Sequence, residues 1–179
     1  MNFLPRIATG MALVASSAAF AQTSSATLPS VPAYAKIYSA ITATQVNGLD
    51  FGGFYSGTTG TVVLNPMTEA RTTSLPVSAD LFTTAEITVG GKRNAQFQVT
   101  LPTTAVTLTN TASADTMQVT AFTAALGAKG SALAVTGTDR LPNTAGATVG
   151  LRIGATLTVA AAQADGDYQG LFPVTVTYN

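Results

Sequence analysis

The stretch Gly166-Asp167-Tyr168-Gln169-Gly170-Leu171-Phe172-Pro173-Val174-Thr175-Val176-Thr177-Tyr178-Asn179 decides the fold class of this chain. Phe172, Val174, Val176 and Tyr178 share one parity, and Tyr168 and Gly170 continue it backwards. Side chains of an extended strand point alternately to opposite faces, so a period of two puts one row on a core and the other outside. The segment reads as a last strand that closes a core.

The same period recurs upstream. In Gln96-Phe97-Gln98-Val99-Thr100-Leu101 the alternation is strict, and Phe97, Val99 and Leu101 face one way. Val149 to Ile153 and Ala155 to Val159 alternate as two further runs, and Thr61 to Leu64, Arg71 to Ser78, Val106 to Leu108, Met117 to Phe122 and Ala132 to Val135 read as short strands. Ala33, Ala35, Ile37, Ile41 and Ala43 fall on one parity and predict a strand between Ala33 and Val46. Between the runs stand Asn47-Gly48, Gly57 to Gly60, Asn65-Pro66 and Gly127 to Gly130, all turn chemistry, and Gly137 to Gly146 reads as a loop. Gly90-Gly91-Lys92-Arg93-Asn94 predicts a hairpin joining Ala85–Val89 to Ala95–Leu101. The Gly52-Gly53 pair within Leu49–Phe54 marks a bulge. Ala121 to Ala125 could form one helical turn, but its neighbours read as strand. Short strands with frequent turn signals are the pattern of a sandwich or barrel, and the expectation is an all-β, single antiparallel β-sandwich with one core. Phe97, Val99, Leu101, Leu157, Val159, Val174 and Val176 are its predicted core residues.

Composition agrees with sheet. Thr supplies 31 of the 179 residues, and Thr and Val suit pleated, half-buried surfaces. Charged residues are 9% of the chain, far below the roughly 25% usual in soluble domains. That suits a secreted or assembled protein better than a cytosolic monomer. Lys92-Arg93 is the one adjacent pair of like charge outside the acidic Asp165-Gly166-Asp167. The basic footprint of a nucleic-acid binder is absent, and so is a polybasic membrane site. With no Cys and no His, disulfides and thiolate metal sites are excluded, and the core alone must hold the fold.

Met1 to Ala21 reads as a signal peptide. Arg6 gives a positive start, Ile7 to Val14 an apolar stretch, and Ala19-Phe20-Ala21 a small-x-small cleavage pattern. The apolar stretch falls short of the roughly 20 residues that span a bilayer, and no later segment reaches that length, so no transmembrane segment is expected. Export to the periplasm, cell surface or medium follows, with Gln22 as the first mature residue. Gln22 to Pro32, with Pro29 and Pro32, reads as a flexible or extended tail ahead of a domain over residues 33–179.

Catalytic constellations are sparse. Without His, the common Ser-His and Cys-His devices are excluded. Lys129-Gly130-Ser131 holds the types of a Ser-Lys pair but sits in a turn. The acidic residues are scattered singly apart from Asp165 and Asp167, which are too few ligands for calcium and read as a turn before the last strand. The expectation is a protein without enzymatic activity, cofactor or metal.

The terminal stretch resembles the C-terminal β-zipper of chaperone–usher pilins. Tyr178 is the penultimate residue, Gly166 is the fourteenth from the end, and alternating apolar residues lie between them. The segment from about Ala33 to Asn179 is similar to the DUF4402 family of exported bacterial domains, itself similar to spore coat U and pilin-like domains. The matching elements are Leu49-Asp50-Phe51-Gly52, Gly60 to Pro66, Glu86 to Gly91, Phe97 to Pro102, Val149 to Val159 and the Gly166 to Asn179 ending. The resemblance implies an immunoglobulin-like or pilin-like sandwich. It also implies subunits that present the terminal strand to a periplasmic chaperone and accept a strand from a neighbour. Pilins often hold a disulfide, which this chain lacks, and Pro29 and Pro32 make Gln22 to Pro32 a poor donor. Ala33 to Val46 is the better donor candidate, in which case the folded part would begin near Leu49.

The expected function is a structural cell-surface subunit, fimbrial or pilus-like, that self-associates by strand addition. Ile37 and Ile41 would be the donor plugs, and Gly166, Phe172, Val174, Val176 and Tyr178 the acceptor side. The alternative is a monomeric exported module that binds carbohydrate or a matrix component.

Overall fold

The computed structural model describes Ala26, residues 30–127 and residues 131–179. The expected signal peptide and its cleavage point, most of the tail, and Lys129 lie outside the described residues. The chain divides into Met1–Lys36 and Ile37–Asn179. The described residues of the first unit form no regular element and are exposed.

The second unit is all-β. Its strands are β1 (Thr42–Asn47), β2 (Gly60–Asn65), β3 (Ala70–Thr73), β4 (Ala85–Gly90), β5 (Gln96–Thr100), β6 (Val106–Asn110), β7 (Thr116–Leu126), β8 (Ser131–Leu133), β9 (Thr136–Arg140), β10 (Thr148–Val159), β11 (Tyr168–Gln169) and β12 (Thr175–Tyr178). All pair antiparallel. The larger sheet runs β1-β4-β10-β7-β6-β11, with β2 on β10, β3 on β2 and β8 on β7. The smaller sheet is β12-β5-β9. Inward residues of both sheets form one buried cluster in a sandwich-like arrangement, with Phe97, Val99 and Val159 at 0% exposure beside Leu101 and Leu157. Val174 and Val176, expected in the same core, are only half-buried. The reason is position: Val176 lies in β12, the outer strand of the smaller sheet, with no neighbour strand on one flank among the described residues, and Val174 lies just before that strand begins.

Strand β10 organises the larger sheet. The two alternating runs on either side of Gly154 are one 12-residue strand. On one flank β4 pairs with Thr148–Ile153 and β2 with Thr156–Val159. Gly154 lies at the junction, where a Cβ would collide with the carbonyl oxygen of Leu64 in β2. This glycine marks a close backbone approach within a continuous strand.

β7 solves a parity problem. Its first half buries Met117 and Val119, its second half Phe122, Ala124 and Leu126. The change from odd to even occurs at Ala121, whose φ of 48° is left-handed. The pairing with β10 shifts register at the same place, so Ala121 and Phe122 together oppose Ala155. A bulge of this kind inserts one residue and turns both halves of a strand to the same core. No helical turn forms there.

The link from β4 to β5 departs from expectation. Gly90 to Asn94 is a tight loop, but the strands it joins belong to different sheets, so it is a corner and not a hairpin. Gly91 lies against the far end of the chain, where a Cβ on it would strike the Tyr178 hydroxyl. Between Ala33 and Val46, regular strand begins only at Thr42, and β1 pairs with β4 of its own chain. The folded part therefore begins before Leu49.

Candidate functional site

A groove of about 1220 Å³ opens over the inner face of the larger sheet. The floor is apolar: Val106 and Leu108 from β6, Met117, Val119 and Phe122 from β7, and Leu157 and Val159 from β10. One wall is the segment 48–56 with residues 80–83, held together by isolated bridges at Asp50–Thr83 and Phe54–Val77 rather than by a ladder. Gly52, at φ 72°, turns the chain here, and the strand with a bulge expected over Leu49–Phe54 does not form, since these residues make only isolated bridges. Arg71 fixes this wall from behind, donating to the Phe51 carbonyl at 3.0 Å while stacking 4.7 Å over the Phe82 ring. The other wall is residues 163–172.

That second wall contains the stretch singled out by sequence. After β10 the chain turns through Asp165-Gly166-Asp167, pairs briefly with β6 through β11, then crosses to the smaller sheet as β12. Gly166 has a φ of 134°, and a Cβ on it would meet the Asn110 amide. Asn110 is 4% exposed. Its amide donates to the Asp165 carbonyl at 3.0 Å, and its Oδ1 accepts from the Ala112 and Ser113 amides at 2.8 and 3.2 Å. A buried amide with these partners staples two loops. Asp165 and Asp167 thus belong to a turn, and among the described residues no group of three or more His, Cys, Asp or Glu side chains could hold a metal ion. Phe172 packs on Phe122 with ring centroids 5.1 Å apart. Tyr168 closes the wall's base: its hydroxyl donates to the Ala164 carbonyl at 2.8 Å and accepts from Gln163 at 2.7 Å.

β12 then offers an open edge. It pairs with β5 from Thr175↔Thr100 to Tyr178↔Phe97, and the Asn179 amide donates to the Gln96 carbonyl. In an antiparallel ladder, backbone groups alternate sides. The N–H and C=O of Val176 and Tyr178 therefore point away from β5, where the sheet has no further strand among the described residues.

Not every expected assembly residue lies in one place. Gly166 and Phe172 line the groove, and Val174 and Val176 follow along the edge strand. Tyr178 sits at the far end, where its hydroxyl accepts from the Lys92 amide at 2.7 Å and donates to the Ser39 carbonyl at 2.9 Å. The two proposed plugs separate as well. Ile37 is 95% exposed, whereas Ile41 packs partly on the core. Sequence reading missed Leu81 and Leu171, which line the groove at 86% and 94% exposure on opposite walls. Leu81 lies in no alternating run, and Leu171 lies in the terminal stretch on the parity opposite to Phe172, so periodicity placed neither on the core face.

A family profile described as "Domain of unknown function (DUF4402)" matches residues 41–178. The chain belongs to that family. A search of curated proteins finds no match.

Proposed function

We propose that this protein is an exported structural subunit that polymerises by accepting a β-strand from a neighbouring copy, in the manner of pilin-like domains. The observation that carries the reading is the groove over β6, β7 and β10. Its apolar floor belongs to an otherwise closed core, and the layer opposite is an irregular ribbon on one side and the crossover to β12 on the other. Met117, Val119, Phe122, Leu157 and Val159 of that floor are already buried, so one inserted strand would add cover over the half-buried Val106 and Leu108. It would also bury Leu81 and Leu171, and bring donor and acceptor groups toward the free edge of β12, the pairing by which strand addition gains affinity. The donor narrows to residues 33–41, because Thr42 to Val46 already pairs with β4. Before assembly the same edge needs protection, a role for a periplasmic chaperone. The chemistry is structural: alternating side chains set register, and no catalytic step is involved.

The test is size-exclusion chromatography and electron microscopy of the mature protein and of Ile37→Asp. Ile37 is exposed in the monomer, so this change leaves the fold intact, but in a donor strand it buries a charge without a partner. Polymeric wild type beside a folded, monomeric variant is the expected result. A wild type that stays monomeric at high concentration overturns the proposal and favours a monomeric module using the groove for carbohydrate or a matrix component.

A further inference from the structure

The chain's charges are few, yet they are sorted by position. The groove is lined by Asp50, Asp80, Asp165 and Asp167, half of all the acidic residues, and among the described residues no Lys or Arg lines it. Arg71 stands behind one wall, occupied with the Phe51 carbonyl and the Phe82 ring. The opposite charge gathers elsewhere. Lys92 and Arg93 form the β4–β5 corner, and Arg140 donates to the Asn94 carbonyl of the same corner at 3.1 Å. Asp139, next to Arg140, and Glu86, six residues before Lys92, are the acidic residues nearest to them in the chain. Lys92 lies 3.6 Å over the Tyr38 ring, which places this basic corner at the root of the residues read as donor. Lys36 precedes that root in the chain.

Strand register locates the two regions. Thr148, the first residue of β10, pairs with Gly90 at the basic corner. Leu157 and Val159, at the last turn of side chains in β10, line the groove. The 12 residues of β10 separate the regions by on the order of 35 Å at about 3.3 Å per residue. One end of the sandwich is anionic around an apolar groove; the other is cationic around the donor root.

We propose that these poles are the specificity device of self-association: the acidic groove of one copy takes the basic donor root of a second copy, in head-to-tail order. This rests on the strand-addition reading and adds to it the charge chemistry that selects partner and direction. A cleft lined by one sign of charge concentrates partners of the other sign and speeds encounter. Juxtaposed like ends repel, so a symmetric pairing of groove with groove is disfavoured, and a contact between unlike surfaces propagates into an open chain. The four aspartates also exclude acidic peptides as occupants.

The experiment measures the rate of self-association of the mature protein by light scattering at 50 and 500 mM NaCl. It uses wild type, an acceptor variant (Asp80→Lys with Asp167→Lys) and a donor variant (Arg93→Glu with Arg140→Glu); all four positions are exposed. Circular dichroism checks the fold of each. The expected rate falls about tenfold with added salt for wild type, because exposed charges are screened beyond roughly 10 Å at 0.1 M. Each variant alone associates at least tenfold more slowly at 50 mM, and an equimolar mixture of the two regains association, since each supplies the pole the other has reversed. Rates independent of salt and unchanged in the variants overturn the polarity while leaving strand addition standing. Absence of association by wild type at both salt concentrations overturns the strand-addition reading and this proposal with it.

Discussion

Truncating Phe97 and Val176 to Ala should separate a closed core from an open edge. Both residues alternate in register on paired strands, Phe97 in β5 and Val176 in β12. Phe97 is 0% exposed and among the largest fully buried side chains. Its removal leaves a cavity between rigid sheets and should cost roughly 3–5 kcal/mol. Val→Ala removes about two methylene equivalents, worth about 0.8 kcal/mol each when fully buried. Val176 is half-buried, so about 1 kcal/mol is expected. For a protein of this size each kcal/mol lowers the melting temperature by roughly 2–4 °C. The variants should therefore melt about 6–20 °C and about 2–4 °C below wild type. Urea denaturation of the monomer, with unchanged slopes, gives the free energies directly. Equal costs for the two variants would refute the reasoning, because Val176 would then have a neighbour on its outer flank. In polymer the Val176 cost should rise, since an inserted strand would cover that flank.

Gly154→Val should cost at least about 2 kcal/mol in the same denaturation assay, because the new Cβ meets a backbone oxygen of β2 that cannot swing aside. Asn110→Ala should cost about 1–3 kcal/mol and speed hydrogen exchange at Ala112 and Ser113, whose amides lose their acceptor. Glu69→Gln should change stability by less than about 1 kcal/mol and less still in high salt: the Arg152–Glu69 pair spans 3.2 Å, but Glu69 is 54% exposed, and Arg152 keeps the Gly127 carbonyl.

Local alternation made many of the strands legible, but β9 lies largely in the 137–146 stretch read as a loop, and the terminal stretch read as one strand is split into β11 and β12 of different sheets. Phe97, Val99 and Leu101, and Leu157 and Val159, carry their burial in the spacing of their own segments. What alternation cannot carry is which strand lies beside which. The Gly90–Asn94 loop has the composition of a hairpin, and only the partners of β4 and β5, which lie in different sheets, make it a corner. Gly154 looks like a break because the strand that demands a glycine there is β2. Ala121 shows no sign of its bulge, since alanine has no preference for left-handed backbone. The groove was the least legible feature. Its lining comes from residues 48–56, 80–83, 106–122 and 157–172, and its most exposed leucines belong to irregular segments. The terminal stretch pointed toward one wall of it, through Gly166 and Phe172, but not toward its floor.

The pairing of β12 with β5 bears on how fast this protein can reach its folded state. Phe97 meets Tyr178 and Thr100 meets Thr175, contacts that span nearly half the sequence. Closing so long a loop loses entropy before any side chain is buried. Sheets dominated by such distant contacts fold in milliseconds to seconds, far more slowly than helical bundles. During that interval β5 carries a bare row of amides and carbonyls with Phe97 and Val99 beside it. Until that pairing forms β5 is open on one flank, and any factor that holds the two ends of this pair together would shorten the exposure.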